Sequence, residues 1–381
     1  MSEVSQIYYD SLRGMLSRFD ERARRDRFRL SGLSDFKSWQ ERERKVLTGL
    51  IGLDRLQEDS GEERYPAGRL EIVGEGCSAE APRPGSNPVI RYKCLFRVDG
   101  YTVMPMYILV PGVEQEDRKK GIWIALAGHQ GAGKESVAGV RDIPAISEKI
   151  DFFNYDYGLQ LAERGYTVIC PDPRGFGERR DAAVQGDEPE RLLACSCRNV
   201  SNMAIPLGFS VIGLCTFDIC RLIDHLKRAS GGDRDILNSF GADPGDISVI
   251  GFSGGGMQAL YLSAVRRDIS RTVISGYMYG FRDSLLILNN NCSCNYVPGL
   301  WEHLDMGDIA SLIAPGPLVI QSCGDDRLNG PRGLENVYEQ TEIIRRAYGL
   351  YGAEERFRHD IRPGGHHFHS ECLDMIDDVT L

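Results

Sequence analysis

Asp246-Ile247-Ser248-Val249-Ile250-Gly251-Phe252-Ser253-Gly254-Gly255-Gly256-Met257-Gln258-Ala259-Leu260-Tyr261-Leu262 reads as a strand, a sharp turn and a helix, with a serine at the apex. The turn satisfies G-x-S-x-G. Small residues on either side let the serine adopt a strained conformation, with its hydroxyl exposed and a helix N-terminus beneath it. Such a serine suits a nucleophile, provided that a base, an orienting acid and oxyanion donors accompany it.

Downstream, Pro317-Leu318-Val319-Ile320-Gln321-Ser322 is a short apolar run of strand type that empties into Cys323-Gly324-Asp325-Asp326-Arg327-Leu328-Asn329-Gly330-Pro331. Arg356 to Arg362 alternates like a strand and ends in Pro363-Gly364-Gly365-His366-His367-Phe368-His369. The order Ser, Asp, His, each just after a strand, is the chain order of α/β-hydrolase triads. A serine hydroxyl needs an imidazole to take its proton and a carboxylate to orient that imidazole. His366 is preferred over His367 and His369 because the Gly364-Gly365 turn can bring its ring over Ser253; a metal-binding His tract is the alternative. On the residues alone both Asp325 and Asp326 stay open, Asp326 lying one position deeper in the loop. The oxyanion site calls for the backbone N–H of Gly254 and one from the loop Ala127-Gly128-His129-Gln130-Gly131-Ala132-Gly133, where His129 is the choice.

That loop carries a rival. Gly128-His129-Gln130-Gly131-Ala132-Gly133-Lys134 follows a strand and satisfies G-x-x-x-x-G-K, but Glu135 stands where Ser or Thr would bind magnesium, and its charge repels phosphates. Cys195-Ser196-Cys197 and Cys292-Ser293-Cys294 could form a four-thiolate zinc site. Structural zinc usually uses longer C-x-x-C spacings, so these are read as thiols near the pocket, and no metal or cofactor is expected. Arg174 and Glu178, in a Gly-rich loop after the fourth strand on the side of the sheet where ligands bind, are candidates for substrate contact, although a structural ion pair is the preferred reading of either.

The 381 residues carry a net charge of −10, which argues against a duplex nucleic-acid partner. Eleven cysteines, an odd number scattered through predicted strands, helices and loops, fit reduced thiols. The N-terminus lacks a basic segment followed by an apolar one, and no run of about eighteen apolar residues occurs, so a soluble, cytoplasmic protein without a membrane partner is expected. Residues Ser5 to Leu56 have helical spacing, giving an N-terminal helical extension over 1–65 and a second domain over 66–381. In that second domain, Arg69–Val73 and the runs flanking Asp99-Gly100 read as strands, the latter two as a hairpin at an antiparallel sheet edge. Alternating strands and helices follow, implying a mostly parallel sheet covered on both faces. The segment Phe281–Leu312 is an insertion positioned to shape the pocket.

With these motifs in place, the chain resembles bacterial α/β-hydrolases of the dienelactone hydrolase and acetylxylan esterase type over about residues 85–381. The likeness rests on Tyr157–Tyr166, Asp172-Pro173-Arg174-Gly175-Phe176-Gly177-Glu178, the Ser253 turn, Cys294–Leu300, Met306–Ala310 and the Gly-Gly-His turn. It implies the α/β-hydrolase fold and selects Asp326 as the acid. Cys323 stands where relatives usually carry glycine, and Ala127-Gly128 where they often carry His-Gly, which weakens any transfer of substrate preference. The expected activity is cleavage of a carboxylic ester through an acyl-enzyme, plausibly an acetyl ester of a sugar or other small molecule. A prolyl-oligopeptidase-like amidase and a non-catalytic binding protein on the same fold are the alternatives. The N-terminal helices either cover the pocket or form a homo-oligomer contact.

Overall fold

The computed structural model describes residues 11–29, 32–59, 68–74, 76–78, 83–114, 118–229, 232 and 237–379. Ten strands form one sheet: β1 (Leu70–Ile72), β2 (Cys77–Ser78), β3 (Val89–Arg97), β4 (Val103–Pro111), β5 (Lys119–Leu126), β6 (Tyr166–Pro171), β7 (Asp243–Phe252), β8 (Thr272–Ser275), β9 (Leu318–Cys323) and β10 (Phe357–Arg362). Their order is β1-β3-β4-β6-β5-β7-β8-β9-β10, with β2 paired to β3. Pairings from β1 through the β4–β6 contact are antiparallel, and those among β5 to β10 are parallel.

The central parallel strands carry continuous apolar runs because helices cover both faces, whereas the edge strand β10 does not. Ile122 to Leu126, Val249, Ile250, Leu318 and Val319 are all buried. The expected hairpin forms, but β4 starts at Val103, not Tyr101. Asp99 Oδ1 accepts from the Tyr101 N–H at 2.8 Å, and the Val98 N–H closes on Thr102 O at 2.9 Å, which widens the turn. After β5 the chain runs to β6 on one side and then returns to β7 on the other. The carboxyl ends of β5 and β7 therefore flank a reversal of strand order, where open α/β sheets bind ligands.

Two cores result. Under one face, helices Pro144–Phe153 and Tyr157–Glu163 bury Ile146, Ile150, Tyr157 and Leu161. Under the other, helices Val211–Arg228, Gly254–Val265 and Leu334–Tyr351 contribute Ile219, Leu260 and Ile344 to the larger core. The N-terminal segment joins that second core as three helices, Leu12–Arg22, Leu33–Ile51 and Leu53–Asp59. Phe36 and Leu47 are fully buried, the Gln40 amide donates to Ser311 O at 2.9 Å and Ala314 O at 2.8 Å, and Arg24 forks onto Asp308 at 2.6 and 2.8 Å. The helical spacing is interrupted because Arg24 adopts φ 54° and its N–H bonds Trp301 O. Residues 5–10 and the 65/66 boundary lie outside the described residues.

Trp39 sits 2 % exposed between Phe28 and Phe36, with its indole N–H donating to Asp26 O. Truncating it to alanine is expected to cost about 3–5 kcal/mol in urea unfolding. A loss below about 1 kcal/mol would mean the N-terminal helices contribute little to the core.

Candidate active site

β7 ends at Phe252, and Ser253 follows with φ 57° and ψ −121° as the residue capping helix Gly254–Val265. Close approach of that helix to the sheet explains the glycines. A Cβ at Gly251 would lie 2.1 Å from the Gly255 carbonyl carbon, and one at Gly255 would lie 1.9 Å from Leu126 O. The strained serine is held from two sides, its N–H donating to Ser275 O at 2.9 Å and its carbonyl accepting from Met257 N at 3.0 Å.

The imidazole and carboxylate arrive from the ends of β10 and β9. His366 Nδ1 lies 2.6 Å from Asp326 Oδ2, and Asp326 Oδ1 accepts from Leu328 N at 2.9 Å. An ionised carboxylate can only accept, so the shared proton resides on Nδ1 and Nε2 is left as the basic nitrogen. Asp326 is 5 % exposed, whereas Asp325 faces solvent and engages the turn through its N–H to Gly364 O. The His366 ring packs on Phe252 at 4.5 Å between centroids, beside Ser253. His367 is turned away, Nδ1 3.0 Å from Phe152 O. The His369 ring meets His367 edge-on at 5.0 Å between centroids, and the His369 backbone N–H donates to Gln321 Oε1.

The loop after β5 lies on the Ser253 turn. A Cβ at Gly128 would be 3.0 Å from Gly254 N, and one at Gly254 would be 2.8 Å from His129 Nδ1. Gln130 and Ala132 both take positive φ here, while Tyr155 OH donates to His129 O at 2.9 Å and Gln258 to Ala127 O at 2.8 Å. Backbone of residues 128–129 is thereby held against Gly254, as an oxyanion site requires.

Lys134, from the phosphate-loop-like motif, is fully buried. Its ammonium pairs with Asp172 at 3.0 Å, Glu178 at 2.6 Å and Glu135 at 2.9 Å. Burial opposes its charge, but these three carboxylates outweigh burial and raise its pKa. A lysine so committed has no free charge for a phosphate. The same pairing corrects the assignment of Glu178, which bonds Lys134 and Lys93 and is no part of the cavity wall. Arg174 is corrected likewise: its guanidinium bonds buried Asp218 at 2.7 to 3.1 Å, and it lines a different cleft.

Ser253, Gly254, His129, Asp326 and His366 share the wall of one cavity of about 640 Å³. Phe153, Tyr277 and Tyr279 also line it and were not named from the sequence. Tyr277 and Tyr279 follow β8 directly, so their place at a strand's carboxyl end was a usable signal. The insertion supplies Asn291, Cys292 and Asn295 to the wall, as its position suggested.

This arrangement of strands and helices recurs in solved structures. An assigned acetyl xylan esterase from Bacteroides fragilis superposes with a TM-score of 0.67 at 16 % identity, over 97 % of this chain and 84 % of its own. The chain has the α/β-hydrolase fold. A glucuronoyl esterase of carbohydrate esterase family 15 from Caldicellulosiruptor kristjansonii matches with a TM-score of 0.58 at 15 % identity, over 94 % of this chain and 88 % of its own. A glucuronoyl esterase from Solibacter usitatus matches with a TM-score of 0.58 at 12 % identity, over 90 % of this chain and 92 % of its own. No protein-family model matches this chain, and no curated protein matches it in sequence.

The two cysteine pairs, expected as thiols near the pocket, come together there with a partner the sequence did not name. Cys197, Cys292 and Cys294 meet around the His129 ring, with Cys195 at their rim. Spacing within the pairs could not reveal the part of His129, which arrives from the loop after β5. Burial alone would lower the His129 pKa, but the sulfur groups of Cys294, Cys195 and Cys292 outweigh it and raise it well above the usual imidazole value.

Replacing Lys134 by methionine leaves Asp172 buried without its partner, so a loss of about 3–5 kcal/mol in chemical denaturation is expected. A neutral outcome would show that the ion pair does not hold the two loops together.

Proposed function

We propose that this α/β-hydrolase cleaves a carboxylic ester through an acyl-enzyme on Ser253. The observation that carries the reading is the buried Asp326 carboxylate 2.6 Å from His366 Nδ1, beside a serine held at positive φ. Ser253 Oγ attacks the ester carbonyl carbon as its proton passes to His366 Nε2, and Asp326 stabilises the imidazolium. The developing oxyanion is received by the backbone N–H groups of Gly254 and His129. Collapse of the tetrahedral intermediate breaks the bond to the alcohol, which leaves with the proton from His366. Water, deprotonated by the same nitrogen, then hydrolyses the acyl-serine and restores the enzyme.

The substrate class that fits best is a small ester of a carbohydrate or similar polar alcohol, an acetyl ester foremost. The cavity supports it: Gln130, Asn290 and Asn291 put polar side chains in a wall that also holds the aromatic rings of Tyr277, Tyr279 and Phe153. The esterase names of the structural neighbours agree with an ester as the bond cleaved.

On a panel of p-nitrophenyl esters and acetylated sugars, activity is expected to be highest for acetyl and to fall with acyl length. Ser253→Ala should reduce kcat by at least about 10⁴-fold, and Asp326→Asn by about 10³–10⁴-fold through the wrong imidazole tautomer. Asp325→Asn should stay within about threefold of the parent, because the imidazole bonds Asp326 while Asp325 is an exposed residue of the cavity wall. Full ester turnover by folded Ser253→Ala would refute the reading.

A further inference from the structure

Beside the Ser253 turn, the sulfur atoms of Cys197, Cys292 and Cys294 and a ring nitrogen of His129 all lie within 4.8 Å of one another. Cys294 Sγ and His129 Nε2 are 3.5 Å apart. Metal–sulfur bonds near 2.3 Å and metal–nitrogen bonds near 2.0–2.1 Å in a tetrahedron set sulfur–sulfur edges at about 3.8 Å and sulfur–nitrogen edges at about 3.5 Å. The cluster thus has the dimensions of a ligand cage. Its cysteines are free thiols, and neutral thiols hydrogen-bond weakly, so their mutual contacts give three loops little reason to converge.

We propose that Cys197, Cys292, Cys294 and His129 bind one zinc ion, a closed structural centre built into the wall of the active-site cavity. Three thiolates and one imidazole are a soft donor set that selects zinc over magnesium or calcium. Binding releases three protons from the thiols and leaves a centre of net charge −1. Asn295 is placed to disperse that charge: its Nδ2 donates to Cys294 Sγ at 3.6 Å, while its Oδ1 accepts from Tyr277 OH at 2.8 Å. With four protein ligands no position is open to water, so the ion activates no nucleophile. Cys195 is a fifth group at the rim, within hydrogen-bonding reach of the cluster but outside the ligand set.

What the ion does follows from where its ligands originate. Cys197 begins helix Cys197–Ala204, Cys292 and Cys294 belong to the insertion around the turn Ser293–Asn295, and His129 lies in the loop after β5. One ion therefore ties both pocket-forming segments to the loop that touches Gly254. Ligation through His129 Nε2 leaves Nδ1 against Gly254 and fixes the backbone assigned to the oxyanion. That last consequence rests on the ester-hydrolase reading; zinc binding itself does not.

The test is elemental analysis of the full chain purified under reducing conditions. About one equivalent of zinc is expected, retained through gel filtration. Cys294→Ser and Cys197→Ser should each lose it, Cys195→Ser should keep it, and Asn295→Ala should weaken zinc affinity by about 10–100-fold in a chelator competition. Because a ligand variant can fail to fold, the parent protein is also exchanged with cobalt(II). A thiolate-to-cobalt charge-transfer band and intense tetrahedral ligand-field bands are expected. Folded parent protein that carries no zinc, takes none up from added Zn²⁺ and leaves all these thiols open to alkylation overturns the proposal. So does bound iron in place of zinc, or metal loss in Cys195→Ser as complete as in Cys294→Ser. Zinc content is independent of turnover, so an active but metal-free enzyme refutes only this inference and an inactive zinc protein only the catalytic one.

Discussion

The site depends on how closely helix Gly254–Val265 approaches the sheet. With Gly255 against Leu126 O and Gly251 against Gly255, the chain has no room for a relaxed turn, and the one residue between strand and helix takes φ 57°. A non-glycine residue held there costs of order 1–3 kcal/mol, a cost the surrounding structure must offset. Burial does so from both ends, since Val249 and Ile250 feed the two cores and Leu260 anchors the helix. Other parts of the site are placed relative to this turn: His366 rests on Phe252, Ser275 O accepts the Ser253 N–H, and the loop after β5 lies across Gly254.

A second layer of constraint is ionic. Lys134 joins the loop after β5 to the loop after β6 through Asp172 and Glu178, and Arg174 and Arg179 tie that second loop to Asp218 on helix Val211–Arg228. Buried pairs of this kind add little net stability against an apolar alternative, but each is costly to leave half-made. Their effect here is geometric, because loops that could vary are fixed at the carboxyl ends of the strands. The thiol–imidazole cluster lies where this wiring gives out, between helix Cys197–Ala204 and the insertion. A metal centre at that place would extend the same fixation to the rim of the cavity.

What was legible in the sequence was local. Strands announced themselves as apolar runs, and Ser253, Asp326 and His366 each sit within a few residues of a strand end, so chain order alone brought them to one edge of the sheet. Asp325 and Asp326 differ by a single step of a turn, and it takes the folded bonds of Asp326 to His366 Nδ1 and Leu328 N to show which carboxylate turns inward. The illegible parts were long-range. Arg174 finds Asp218 after 44 residues and Glu178 finds Lys134 after 44, pairings that leave no periodic trace. Cys294 meets His129 across 165 residues. The N-terminal stripes marked helices correctly, yet nothing in them named Ser311, Leu312 or Asp308 as the surface they dock on.

The central claim is that Ser253 carries the acyl group during turnover. It is tested most directly by acid-quenching the enzyme with p-nitrophenyl acetate and mapping the added 42 Da of acetyl by peptide mass spectrometry, a mass that follows from replacing one hydroxyl proton by an acetyl group, about 42 Da. The account predicts acetylation on the peptide bearing Ser253 that forms and decays with the reaction. Acetyl on a cysteine or histidine with Ser253 unmodified, or turnover with no covalent adduct at all, would contradict it.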